Sequence, residues 1–126
     1  MAIAEPPLGA RMHSAGIVLK GALTELRWME LLHAIANAIG MEAVGQPKVW
    51  TYPFEGKGGC GQTFLLPITE SFLALDTWSD HDGAYLFVCS CRGYFTADID
   101  KVSREFGLIP AANSSGRFYN ELSLKS

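Results

Sequence analysis

The sequence predicts an α+β fold, a two-layer sandwich with two helices on one face of a mainly antiparallel sheet. Three observations carry that expectation. Strand and helix character follow one another in the order strand, helix, several strands, helix. Two segments repeat apolar residues at helical spacing and stop at a glycine. The 126 residues, 48% hydrophobic and 18% charged, suffice for one packed core but not comfortably for two. The chain, 1–126, therefore reads as a single domain.

Residues 1–14 carry two adjacent prolines and no apolar run, which predicts a flexible lead-in. Gly16 to Leu19 is a short β-favouring run that opens the fold. Thr24 offers a hydroxyl to cap a helix over Glu25 to Ile39, where Trp28, Leu32, Ile35 and Ile39 form one apolar stripe before the stop at Gly40. Val44 to Phe54 mixes β-branched and aromatic residues with Pro47 and Pro53, a pattern for an edge strand. Thr63 to Ile68, Phe72 to Trp78 and Gly83 to Cys91 predict three successive strands. A second helix starts at Thr96, places Asp98 and Asp100 in its electropositive first turn, buries Ile99, Val102 and Phe106, and ends at Gly107. The Ser- and Asn-rich tail, 110–126, predicts only partial order. Apolar residues fall on both parities of the strands, so the sheet face away from the helices is expected to be apolar too, a surface that a homodimer would bury.

Composition excludes several classes of function. A net charge of −3 without a block of Lys or Arg removes the electrostatic basis of nucleic-acid binding. The longest apolar runs, such as Ala84 to Cys89, fall far short of the roughly 20 residues of a membrane span. With no export signal and three cysteines, an odd number, the expected setting is cytoplasmic with reduced thiols.

Few constellations carry chemistry by spacing alone. The glycine cluster over 56–61 lacks the Lys-Ser/Thr ending of a phosphate loop and reads as a hairpin turn. Asp76, Asp80, His81 and Asp82 are metal-competent, but Asp80 to Asp82 occupy an expected turn, and no metal is assigned. Cys89 and Cys91, two apart, share a strand face without the partners of a zinc site. His13, in the lead-in, and His33, beside the helical stripe, read as structural or solvated. Ser71 after Glu70, and Asp76 within an apolar strand, are the residues out of keeping with their surroundings, because a carboxylate there needs a partner.

The stretch Glu70-Ser71-Phe72-Leu73-Ala74-Leu75-Asp76-Thr77-Trp78-Ser79-Asp80 resembles the signature Glu-Ser-His-Leu-Ser-Ile-His-Thr-Trp-Pro-Glu of the prokaryotic S-adenosylmethionine decarboxylases. Glu70, Ser71, Leu73, Thr77 and Trp78 are shared, Leu75 and Asp80 are conservative changes, and Cys91 falls at the family's cysteine position. The order of elements from Gly16 to Gly107 is also similar. The resemblance implies an S-adenosylmethionine decarboxylase-like sandwich that forms a homodimer. It further implies a chain that breaks itself between Glu70 and Ser71, turning Ser71 into a pyruvoyl group. That group is the implied cofactor, an electron sink for loss of CO2 from S-adenosylmethionine on the route to spermidine and other polyamines. By the same resemblance Thr63 and Asp76 belong to the processing machinery, Cys91 donates the proton that replaces CO2, and Trp78, Asp80 and Phe54 line the nucleoside site.

One departure opens alternatives. Asp76 stands where the family has its processing histidine, and an ordinary carboxyl, with a reference pKa of about 3.9, is a weaker base than imidazole at about 6.5. Residues five apart also lie on opposite faces of a regular strand, so Ser71 and Asp76 meet only across a bend or bulge. Two further readings follow. The chain is a non-processing, catalytically inactive homologue that binds a ligand or regulates a homologous subunit. Otherwise it is a decarboxylase for another small amino acid, such as arginine or ornithine, whose positive side chain Asp76 would attract.

Overall fold

The computed structural model describes residues 11–53, 59–69, 71–78 and 81–124. It is α+β: a seven-stranded antiparallel sheet with two helices. In chain order the elements are β1 (Arg11–Lys20), α1 (Glu25–Ala38), β2 (Lys48–Pro53), β3 (Cys60–Ile68), β4 (Ser71–Trp78), β5 (Gly83–Ser90), α2 (Thr96–Glu105), β6 (Ile109–Pro110) and β7 (Arg117–Ser123). The sheet runs β2-β3-β4-β5-β1-β6, and β7 also pairs with β1.

Local chemistry accounts for the helices. The Thr24 hydroxyl accepts the Arg27 N–H at 3.2 Å, and α1 buries Trp28, Leu31, Leu32, Ile35 and Ala36, the expected stripe widened by its neighbours. Gly40, at a φ of 78°, then turns the chain out of the helix in a conformation costly for other residues. α2 buries Ile99, Val102 and Ser103 and is likewise followed by a left-handed glycine, Gly107.

Both helices pack against one face of the sheet. Strand alternation supplies that face with Ala15, Ile17 and Leu19 from β1, Phe64 and Leu66 from β3, Leu73 and Leu75 from β4, and Leu86 and Val88 from β5, all buried. A leucine deleted to alanine here would cost about 2–5 kcal/mol, the usual range for a buried cavity. The alternate positions form the opposite, open face. There Trp50, Tyr52, Phe72, Tyr85, Phe118 and Leu122 are exposed large apolar side chains. Phe118 lies so close over Gly16 that a Cβ would collide with its ring, and Tyr52 covers Gly61 in the same way.

The structure corrects two expectations at the ends of the chain. The lead-in over 1–14 is shorter than expected, because Arg11 to Ser14 belong to β1, while residues 1–10 lie outside the described residues. The tail over 110–126 is not merely a tail. Its β7 pairs with β1 from Arg11↔Ser123 to Ile17↔Arg117, and β6 continues the same edge at Leu19↔Pro110 and Lys20↔Ile109. These partners satisfy backbone groups that β1 would otherwise present along a bare edge. β2 is an edge strand, as expected, but it starts at Lys48, after Pro47, rather than at Val44, and Pro53 is its last residue.

Candidate functional site

Ser71 opens β4 at one end of the sheet. β3 ends at Ile68, which pairs with Ser71, so residues 69 and 70 alone join the two strands. The segment after α1 braces this hairpin: Val44 N–H donates to the Pro67 carbonyl, Thr69 N–H to the Glu42 carbonyl, and Ala43 bridges to Ile68. On its other side Ser71 pairs with Ser90, which in turn pairs with His13. The Ser90 hydroxyl is fully buried, accepts the Arg92 N–H at 3.0 Å and faces the Met41 sulfur at 3.7 Å. β5 ends at Ser90, so Cys91 lies in the bend beyond the strand rather than within it, one residue from the cross-strand partner of Ser71, and is half-buried. The structure thus brings Ser71 and Cys91 to the same end of the sheet. Glu70 lies outside the described residues.

Asp76 is not at that end. The ladders on both sides of β4 run without interruption from Ser71 to Thr77, with no bulge. Five residues of strand separate Ser71 from Asp76 by about 17 Å and put them on opposite faces. Asp76 is half-buried on the open face, and its Oδ1 accepts the Thr63 hydroxyl proton at 2.7 Å. Because Thr63 has only that proton to give, its 2.7 Å contact with Tyr52 is one in which the phenol donates. A relay Tyr52 to Thr63 to Asp76 therefore crosses β2, β3 and β4. Aromatic rings frame it: Trp50 pairs with Thr63, Tyr85 pairs with Asp76, and Trp78 meets Tyr85 edge-on at 5.5 Å. This arrangement suits a positively charged or polarised group laid against the sheet, since a carboxylate and ring faces both attract cations.

Thr63, Asp76 and Trp78 are therefore grouped on the open face, and Ser71 and Cys91 are grouped elsewhere. Trp78 is seven strand residues from Ser71, about 23 Å. It borders a cavity of about 660 Å³, together with Lys20, His81, Asp82, Tyr85 and Ile109. Phe54 and Asp80 lie outside the described residues. Among the described residues, no three His, Cys, Asp or Glu side chains converge to hold a metal ion.

Sequence reasoning missed two participants. Tyr52 joins the relay only through the β2–β3 register, which the glycine-rich connection conceals from a reader of the sequence. His13 is a strand residue in the row that contains Ser90 and Ser71, with its Nδ1 2.7 Å from the Tyr119 hydroxyl. Its role was hidden because its partner lies in β7, which reads as tail. No protein-family model matches this chain, and no curated protein matches it either.

Proposed function

We propose that the chain is a pyruvoyl-dependent decarboxylase of the S-adenosylmethionine decarboxylase kind, self-cleaved between Glu70 and Ser71. One observation carries the reading beyond the sequence signature: Ser71 is the first residue of β4, at a two-residue connection, with Cys91 next to its cross-strand partner. A break at that position leaves Phe72 to Thr77 paired on both sides, so the new terminus stays at the end of the sheet that also holds Cys91. These surroundings fit the group that Ser71 would become.

The chemistry uses the chain's own atoms. The Ser71 hydroxyl adds to the Glu70 carbonyl carbon, the C–N bond breaks, and the released amine takes up a proton, which leaves Glu70 esterified to the serine oxygen. Removal of the Ser71 α-proton expels Glu70 as a carboxylate and leaves dehydroalanine. Water hydrolyses its tautomer to ammonia and a ketone. Once formed, that pyruvoyl ketone supplies the electron sink for loss of CO2 from an amino-acid substrate. Cys91 delivers the proton that takes the place of CO2. In this reading the protein works in the cytoplasm, in polyamine synthesis. It is a homodimer, because Trp78 stands too far from Ser71 of its own chain to wall the same site, and the aromatic open face provides the surface to pair.

A specific observation favours a second reading, a non-processing homologue that binds a ligand. Asp76 is engaged by Thr63 on the face opposite Ser71, so it is out of reach as the base for cleavage within one chain. Intact mass spectrometry of the purified protein separates the two. The decarboxylase reading expects fragments 1–70 and 71–126, and Ser71→Ala abolishes them. A single uncleaved species at every pH overturns that reading and leaves the ligand-binding one. If Asp76→His then starts cleavage that the parent lacks, the parent is a degenerate enzyme.

A further inference from the structure

A cavity of about 380 Å³ lies on the helical side of the sheet, between the last turn of α1, the start of α2 and β7. Its size is near the lower end of the roughly 300–1,000 Å³ of small-molecule sites. Its lining is rich in aromatic rings: Tyr94 and Tyr119 meet edge to face at 5.6 Å and 74°, and Phe95 is also on it. Asp98 is the one carboxylate on the lining.

Phe95 has no structural explanation. It occupies the N-cap position of α2, where Ser, Thr, Asp or Asn would satisfy a free backbone N–H, and it makes no capping bond. It is not in the core either, being 78% exposed. Asp98 is exposed, and among the described residues no ion pair or side-chain hydrogen bond holds it. At the other wall, the last turn of α1 carries no basic side chain to offset its carbonyl end.

The hydroxyl groups decide the class of ligand. Tyr94 donates to the Val88 carbonyl at 2.6 Å and lies 3.3 Å from the His13 carbonyl, while Tyr119 is engaged with His13 Nδ1 at 2.7 Å. With the Tyr94 proton given to Val88 and the Tyr119 hydroxyl held by His13, the lining offers a ligand ring surface, the apolar side chains of Ala38 and Ile39 and one carboxylate, a setting for a cationic head with an apolar surface. A quaternary ammonium needs no hydrogen bonds, only ring faces and a nearby negative charge.

We infer that the Tyr94–Phe95–Tyr119 corner with Asp98 is a binding site for a small free molecule that carries a quaternary ammonium head. The site lies on the same side of the sheet as Ser71, reached from it across Ser90 and His13, but the inference does not depend on whether the chain cleaves itself.

Calorimetric titration of the full-length protein with choline tests it. Choline should bind saturably at one site, and the neutral isostere 3,3-dimethylbutan-1-ol at least tenfold more weakly. Phe95→Ala and Asp98→Asn change exposed side chains, so the fold should persist by circular dichroism, and each should weaken choline several-fold. Absence of saturation with choline into the tens of millimolar, or equal binding of the isostere, overturns the site. Tighter binding of a trimethyl-lysine peptide than of choline overturns the assignment to a small free molecule.

Discussion

Tyr94 shows how one residue couples burial to chemistry. Burial, with smaller contributions from Tyr119 and Cys89, pushes its phenol well above the ordinary value of 10.0. The neutral form is therefore favoured in the folded state, which suits a ring whose O–H donates to the Val88 carbonyl. Its stabilising contribution is complete below pH 10. Above that the unfolded chain loses the phenol proton while the folded chain keeps it, so stability falls as pH rises towards the folded value. Denaturant melts at pH 9 and pH 11 should show this loss in the parent, and Tyr94→Phe should show less of it. A Tyr94→Phe protein with an unchanged alkaline decline would place its origin in other groups. At the same scale, the opposition of Ser71 and Asp76 could be read by counting along β4. The capture of Asp76 by Thr63 could not, because it depends on how β3 is registered against β4.

At the scale of elements, the two helices could be read directly. α1 announces itself by Thr24, its apolar stripe and Gly40, and Thr24→Ala should cost about 1 kcal/mol, seen as a lower urea midpoint at an unchanged slope. The central strands were equally plain, since β4 alternates buried Leu73, Leu75 and Thr77 with more accessible neighbours. β7 was hidden for a physical reason. It lies at the margin of the sheet and is exposed from Phe118 to Ser123, so burial imposes no alternation on its sequence. Its order comes from backbone pairing with β1 and from Arg117, which reaches Asp100 at 3.1 Å and the Ala111 carbonyl at 2.8 Å. Pairing and long-range ion pairs leave no periodic trace, and for the same reason the aromatic corner beside β7 could not be foreseen.

At the scale of the molecule, the helices satisfy one face of the sheet and leave the other aromatic. Trp50 is 49% exposed and Tyr85 46%, on neighbouring parts of one surface that also carries Lys48 and Asp76, with Lys20 and Asp82 at the end beside Tyr85. Association of two such faces removes apolar area from water and encloses the Tyr52–Thr63–Asp76 relay. If the decarboxylase reading holds, a site that joins Ser71 to a Trp78 ring must take the ring from the second copy at the end of the sheet where Ser71 lies, because about 23 Å separates the two within one chain. Light scattering should then give a dimer for the parent and a monomer for Tyr85→Lys, which places a charge in the centre of the face. Shared sites make a sharper demand. Ser71→Ala and Trp78→Ala should each be inactive alone, whereas the two refolded together should regain about a quarter of parental activity, because random pairing makes half the dimers mixed and gives each one intact site. No recovery in mixtures shown to contain mixed dimers would mean that Trp78 serves a cavity of its own, 23 Å from the serine.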